Sequence, residues 1–210
     1  MQYETEEQQV EALKAWWQEN GRAVIVGIVI GVLLVAAWMW WKGSQERKAV
    51  AASDNFSQSM EALQNGDHAK VKELAALKGD HSGTLYSAYT GLTAARAAVE
   101  QGDLEAAATE LQWVVDNAEL DDVSIIASVR LARVKAALGD ASGGLSVLPN
   151  KYNEVYTHLI EEARGDLHVA AGDTEAARAA YQVAIDTERA ADRDALQMKF
   201  NELATVGGKS

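Results

Sequence analysis

The hydrophobic and polar positions fall into three regimes. Residues 23–41, AVIVGIVIGVLLVAAWMWW, form an unbroken apolar run without a charged side chain. As a helix rising ~1.5 Å per residue, this run extends about 28 Å, close to the ~30 Å hydrocarbon core of a bilayer. Ahead of it, Val10, Leu13 and Trp17 recur at helical spacing, which predicts a short amphipathic segment over 1–22. Thr5 and Gln8 have the spacing of a capping box at its start. Beyond the run, helix-forming blocks are broken by four Gly-Asp pairs, Gly66-Asp67, Gly102-Asp103, Gly139-Asp140 and Gly172-Asp173.

The apolar run reads as a permanent transmembrane helix. Arg22 and Lys42 bracket it and can snorkel to head groups, and Trp38, Trp40 and Trp41 cluster at the end where indole rings prefer the interface. A cleaved signal peptide would have a basic start and a shorter apolar core. Here the segment ahead of the run is acidic, and the cleavage-like Ala49-Val50-Ala51 lies beyond a charged stretch. Gly27 and Gly31 form a GxxxG pair, a face on which another membrane helix can pack closely. Lys14 and Arg22 on one side nearly balance Lys42, Arg47 and Lys48 on the other, so flanking charge leaves the orientation open and leans slightly towards a cytoplasmic C-terminal domain.

The Gly-Asp pairs are spaced 36, 37 and 33 residues apart, a period that marks stacked helix pairs. Glycine ends one helix by taking the left-handed conformation, and aspartate caps the next. The surrounding spacing resembles the tetratricopeptide repeat: a small residue at −7 from the glycine, alanine at +5, a large residue at +9 and alanine at +12. Gly165, Gly172, Ala177, Tyr181 and Ala184 fit throughout. Ala95, Gly102, Ala107, Leu111 and Val114 follow closely, and Ala132, Gly139, Gly144 and Leu148 follow until Lys151 departs. The first unit keeps only its Gly-Asp pair and is expected to be irregular. Residues 42–60 are expected to form a helical connector, 61–205 the repeat domain and 206–210 a tail. Thr187 to Leu203, with Ala191, Leu196 and Phe200, suits a final capping helix. The expected class is all-α: one N-terminal transmembrane helix, then a tetratricopeptide-repeat-like α-helical solenoid.

Charge and composition narrow the function. The net charge of −12 disfavours a nucleic-acid partner and an anionic lipid surface. No cysteine is present, which removes disulfide and thiol chemistry. His68, His81, His158 and His168 lack metal-ligand spacing. Gly79-Asp80-His81-Ser82-Gly83 lines up triad-type residues, but consecutive side chains point apart, so it reads as a loop. Glu161-Glu162 and Asp121-Asp122 read as acidic residues at helix starts. No catalytic residue, metal or cofactor is expected. The remaining resource is surface. The repeat positions place Tyr89, Leu92, Arg96, Val129, Arg130, Arg133, Leu159, Glu162 and Asp166 near a groove formed by the first helix of each pair. Domains that clamp C-terminal carboxylates use Lys and Asn where this chain has Leu92, Arg96, Val129 and Arg133, which argues against a clamp.

The opening EEQQVEALKAWWQENG, with its paired Trp16-Trp17, runs directly into the apolar span and then weak helical repeats. In this order the chain resembles the YfgM family over its full length. The resemblance implies an inner-membrane ancillary subunit of the bacterial SecYEG translocon, with a cytoplasmic N-terminus and a periplasmic repeat domain. It also implies partnership with the periplasmic chaperone PpiD, contact with secreted client proteins, and a role as a protein-interaction adaptor. A cytoplasm-facing repeat receptor on a membrane is the alternative.

Overall fold

Each Gly-Asp pair closes one helix and opens the next. In the computed structural model, which describes residues 6–187 and 193–206, all four glycines have positive φ, between 71° and 85°. At the second pair, the Gly102 N–H donates to Val99 O at 3.0 Å and the Asp103 N–H to Ala98 O at 2.9 Å. These two bonds form a Schellman closure, which satisfies carbonyls that the helix end would leave unpaired. Asp103 then accepts from the Ala106 N–H at 3.0 Å as the N-cap of the following helix. Asp67, Asp140 and Asp173 do the same for Lys70, Gly143 and Ala176. The Gly143 N–H holds the Asp140 carboxyl below its usual range. One residue thus terminates a helix through its backbone and starts another through its side chain.

The chain divides into two units, Met1–Lys48 and Ala49–Ser210. Helix α1, Glu6–Gln64, has residues in both. In the first unit, none of the apolar stretch is buried, and the helix is long and apolar enough to cross a membrane. Lys42 Nζ lies 5.8 Å from the Trp38 ring, and Gly27 and Gly31 have open space where a side chain would be. Trp16 and Trp17 are exposed. Thr5, the predicted cap, lies outside the described residues.

The second unit is built of helical hairpins. From Ala49 the end of α1 pairs with α2, His68–Ala76. The predicted connector therefore supplies packing residues: Ala52 and Ser59 are buried, and Asn55 Nδ2 donates to Leu74 O at 3.1 Å. The irregularity expected of the first unit takes the form of a 3-10 turn, Leu77–His81. Lys78 fastens this turn, pairing with Glu110 at 2.9 Å and lying 4.9 Å from the Trp113 ring. Next come α3, Leu85–Glu100, with α4, Leu104–Asn117, and α5, Asp121–Ala137, with α6, Ala141–Val147. A second 3-10 turn, Glu154–Tyr156, leads to α7, Thr157–Ala170, and α8, Thr174–Thr187. Helix α9, Arg193–Val206, packs on α8.

The repeat positions are the core. Ala95, Ala107, Leu111, Val114, Ala132, Leu148, Ala177, Tyr181 and Ala184 are all buried. Leu111, Leu131, Ile160 and Leu167 have essentially no exposed surface, and burying each is worth about 1.5–3 kcal/mol. Gly165 lies against the Tyr181 ring, and a Cβ there would overlap that ring. Helix α6 is short because Leu148, preceding Pro149, takes an extended conformation, which a following proline favours. Lys151 departs from the repeat because it lies beyond that helix. The described part of the expected final helix is α9, Arg193–Val206, whose Leu196 and Phe200 pack with Ala184 and Ile185 of α8; Ala191 and residues 207–210 lie outside the described residues.

Candidate functional site

The first helices of successive hairpins, the end of α1, then α3, α5 and α7, bring the predicted groove residues onto neighbouring turns. Two adjoining depressions share Leu92, Arg96 and Arg130. Phe56, Met60, Leu63, Tyr89 and Thr93 complete the first, and Ala95, Val99, Leu111, Arg133 and Val134 complete the second. They are open hollows of about 350 Å³ and 310 Å³, at the lower end of the range of ligand-binding clefts. The Phe56 ring lies 5.6 Å from that of Tyr89 and 6.0 Å from that of Tyr86. Thr93 Oγ1 donates back to Tyr89 O at 2.8 Å, so this buried hydroxyl leaves no unpaired polar group in the groove floor.

Three arginines rim the groove. Arg96 is exposed and pairs through Nε with Glu100 on its own helix at 2.8 Å. Arg130 is exposed and makes no ion pair with the described residues. Arg133 approaches Glu162 and Asp166 of α7 only at 3.7 Å. Lys199 of α9 makes the short contacts to those two carboxylates, 2.7 Å to Glu162 Oε1 and 2.7 Å to Asp166 Oδ1. Tyr181 of α8 donates to Asp166 at 2.8 Å. Burial, with the hydrogen bond to Asp166, pushes the Tyr181 hydroxyl well above its ordinary pKa. Burial works to lower the Lys199 pKa, but its bonds to Asp166 and Glu162 outweigh this and raise it.

Five of the nine predicted groove residues therefore line one surface: Tyr89, Leu92, Arg96, Arg130 and Arg133. Glu162 and Asp166 border it but are engaged by Lys199. Val129 is buried with Ile125, Ala132, Leu148 and Ile160, and Leu159 packs on that same cluster. Val129 sits one residue before Arg130, a rotation of about 100° around the helix, enough to move it from groove to core. Glu161 and Glu162 are not in the first turn of α7 as expected. Glu161 is buried, bonded to Arg164 at 2.8 Å and Tyr152 at 3.0 Å, and Arg164 also ties to Pro149 O. Asp121 and Asp122 do stand in the first turn of α5.

Phe56, Met60, Leu63, Val99, Val134 and Lys199 were not anticipated. The spacing of Phe56, Met60 and Leu63, at i, i+4 and i+7 just before Gly66, carries the signal that residues 49–64 are a repeat helix. Among the described residues, no three His, Asp or Glu side chains gather as metal ligands.

The chain matches the family described as "Tetratricopeptide repeat-like domain" over residues 14–205. It is 29% identical to a protein of Escherichia coli named "Ancillary SecYEG translocon subunit", over 96% of this chain and 98% of that one. Proteins of the same name from Haemophilus influenzae and Aggregatibacter actinomycetemcomitans are 28% and 29% identical, each over 94% of this chain and 97% of theirs. These relatives agree with the resemblance carried by the N-terminal segment. No solved structure matches the chain.

Proposed function

The chain belongs to the tetratricopeptide repeat-like family, and we propose that it is a membrane-anchored adaptor of the Sec translocon. The observation that carries this reading is the span of the likeness. The relatives named as ancillary translocon subunits align along nearly the whole chain, so the apolar helix and the hairpin domain belong to one shared arrangement. Residues 23–41 hold the protein in the inner membrane. The N-terminus faces the cytoplasm and the hairpin domain the periplasm. Gly27 and Gly31 present the face that packs on a neighbouring membrane helix.

Function follows from tethering. A groove held beside a channel exit meets emerging partners at a raised effective concentration. The groove then hands secreted clients to periplasmic chaperones, PpiD among them. Binding, not catalysis, is the activity.

Removing residues 1–42 tests this. The adaptor reading expects the truncated protein to lose copurification with the translocon and to regain membrane residence when fused to an unrelated apolar helix. Undiminished copurification of the truncated chain contradicts it.

The slight excess of basic residues after the span, Lys42, Arg47 and Lys48, favours a second reading, a receptor facing the cytoplasm. Protease added to spheroplasts separates the two. Digestion of the hairpin domain supports the periplasmic reading, and protection supports the cytoplasmic one.

A further inference from the structure

We infer that α9 is a displaceable occupant of the face formed by α7 and α8, and that this face takes, in its place, a partner's amphipathic helix with one lysine inside a narrow apolar stripe. The inference does not depend on the groove between α1, α3 and α5.

Helix α9 shows what the face recognises. Among residues 193–203, Leu196 alone is buried, and Lys199, Phe200 and Leu203 are half-buried. These four fall at i, i+3, i+4 and i+7, a single stripe of the helix. Opposite them, Ala184 and Ile185 of α8 pack with Leu196 and Phe200, and Arg178 lies 4.7 Å from the Phe200 ring. Lys199 reaches the two carboxylates of α7, Glu162 and Asp166, at 2.7 Å each. Helix α8 buries five residues, so α9 has the smaller anchorage. Few buried contacts place a segment at the low-stability end of a fold, where it opens without global unfolding.

Arg133 makes the release of α9 affordable. Withdrawing Lys199 would leave two neighbouring carboxylates uncompensated. Arg133 of α5 stands 3.7 Å from both, on Glu162 Oε2 and Asp166 Oδ2, whereas Lys199 holds Oε1 and Oδ1. The two cations use different oxygens, so Arg133 keeps the pair neutralised when Lys199 leaves. The vacated face then presents an apolar ridge beside two carboxylates. An acidic helix would be repelled by it, and a helix without a lysine would leave the short bonds unmade. A helix with a lysine in its apolar stripe satisfies both halves.

The test uses the full chain in detergent. Amides of α9 should exchange hydrogen about tenfold faster in Lys199→Glu, and less than that in Lys199→Gln, while those of α3 and α4 hold. Arg133→Gln should slow exchange in α9, because the open state loses its counter-charge. Faster exchange in that variant overturns the release mechanism. A labelled peptide with the sequence of residues 193–206 should bind Lys199→Glu about tenfold more tightly than the unaltered chain, where α9 competes, as read by fluorescence anisotropy. A second peptide that keeps only the residues at 196, 199, 200 and 203, with Ala or Gln elsewhere, should bind equally. Unchanged exchange in Lys199→Glu overturns the displaceable helix. Failure of both peptides to bind the opened chain overturns the face as a binding site. Binding of the first peptide alone reserves the face for α9 and overturns the partner helix. If α9 of a second copy fills the face, sedimentation will show a dimer of the unaltered chain that Lys199→Glu dissociates, and the partner assignment falls.

Discussion

Tyr181 donates its hydroxyl hydrogen to Asp166 Oδ1 at 2.8 Å, across the hairpin formed by α7 and α8. Lys199 reaches the same oxygen from α9 at 2.7 Å. The bonded atoms belong to the last three helices, so one carboxylate links the end of the hairpin stack. The ring that carries this hydroxyl also covers Gly165, the residue just before Asp166. Packing and polar bonding therefore act on the same side chain.

This arrangement makes stability sensitive to alkaline pH. The Tyr181 and Lys199 pKa values are both raised, so the folded domain holds these protons more tightly than the unfolded chain. Their contribution is whole below about pH 10, near the unfolded values, and is lost as pH climbs through the folded ones. Thermal unfolding followed by circular dichroism should show a midpoint that falls above that pH. Tyr181→Phe should be less stable at neutral pH but lose part of the alkaline fall. An alkaline slope identical to that of the unaltered protein would show that Tyr181 does not carry it.

Gly165→Ala should destabilise the hairpin by about 1–3 kcal/mol, the usual cost of overpacking a core. The added methyl overlaps the Tyr181 ring, which is held by its bond to Asp166. Gly27→Ala, where no atom lies within 4 Å, should leave the domain's unfolding midpoint unchanged. The pair of measurements separates a tight contact from a general glycine effect.

Asp103→Ala should cost about 1 kcal/mol through loss of the cap on α4. Its backbone bond to Ala98 does not depend on the side chain and should survive. Urea unfolding should therefore show a lower midpoint with an unchanged slope. A changed slope would mean that the whole turn, not the cap alone, had been lost.

Replacing Gly27 and Gly31 with Ile should weaken membrane-phase crosslinking of α1 to a neighbouring helix, because close backbone approach needs small residues there. Crosslinks of undiminished yield would assign the contact to another face.

Much of this fold is legible in the sequence because each Gly-Asp pair encodes both a stop and a start within two residues. Ala107, Leu111 and Val114 needed only their distance from Gly102 to be placed in the core. The groove was legible at Tyr89, Leu92 and Arg96, which share one face of α3. It was misread at Val129, where a single residue step changes the face. The first hairpin was hidden because one helix, α1, contains both the apolar span and the repeat helix, with no glycine-aspartate mark between them. Lys199 lay beyond reach of any local pattern, since its partners Glu162 and Asp166 are more than 30 residues earlier.

The central claim is that the groove is where a partner protein binds while the apolar helix holds it at the membrane. Photo-crosslinking in living cells, from single probes at Tyr89 and Leu92 and at Gln112 on the exposed side of α4, tests it most directly. The account predicts adducts with another protein from positions 89 and 92, lost when residues 1–42 are removed, and none from 112. Adducts from 112 alone, or groove adducts that persist without the anchor, would contradict it.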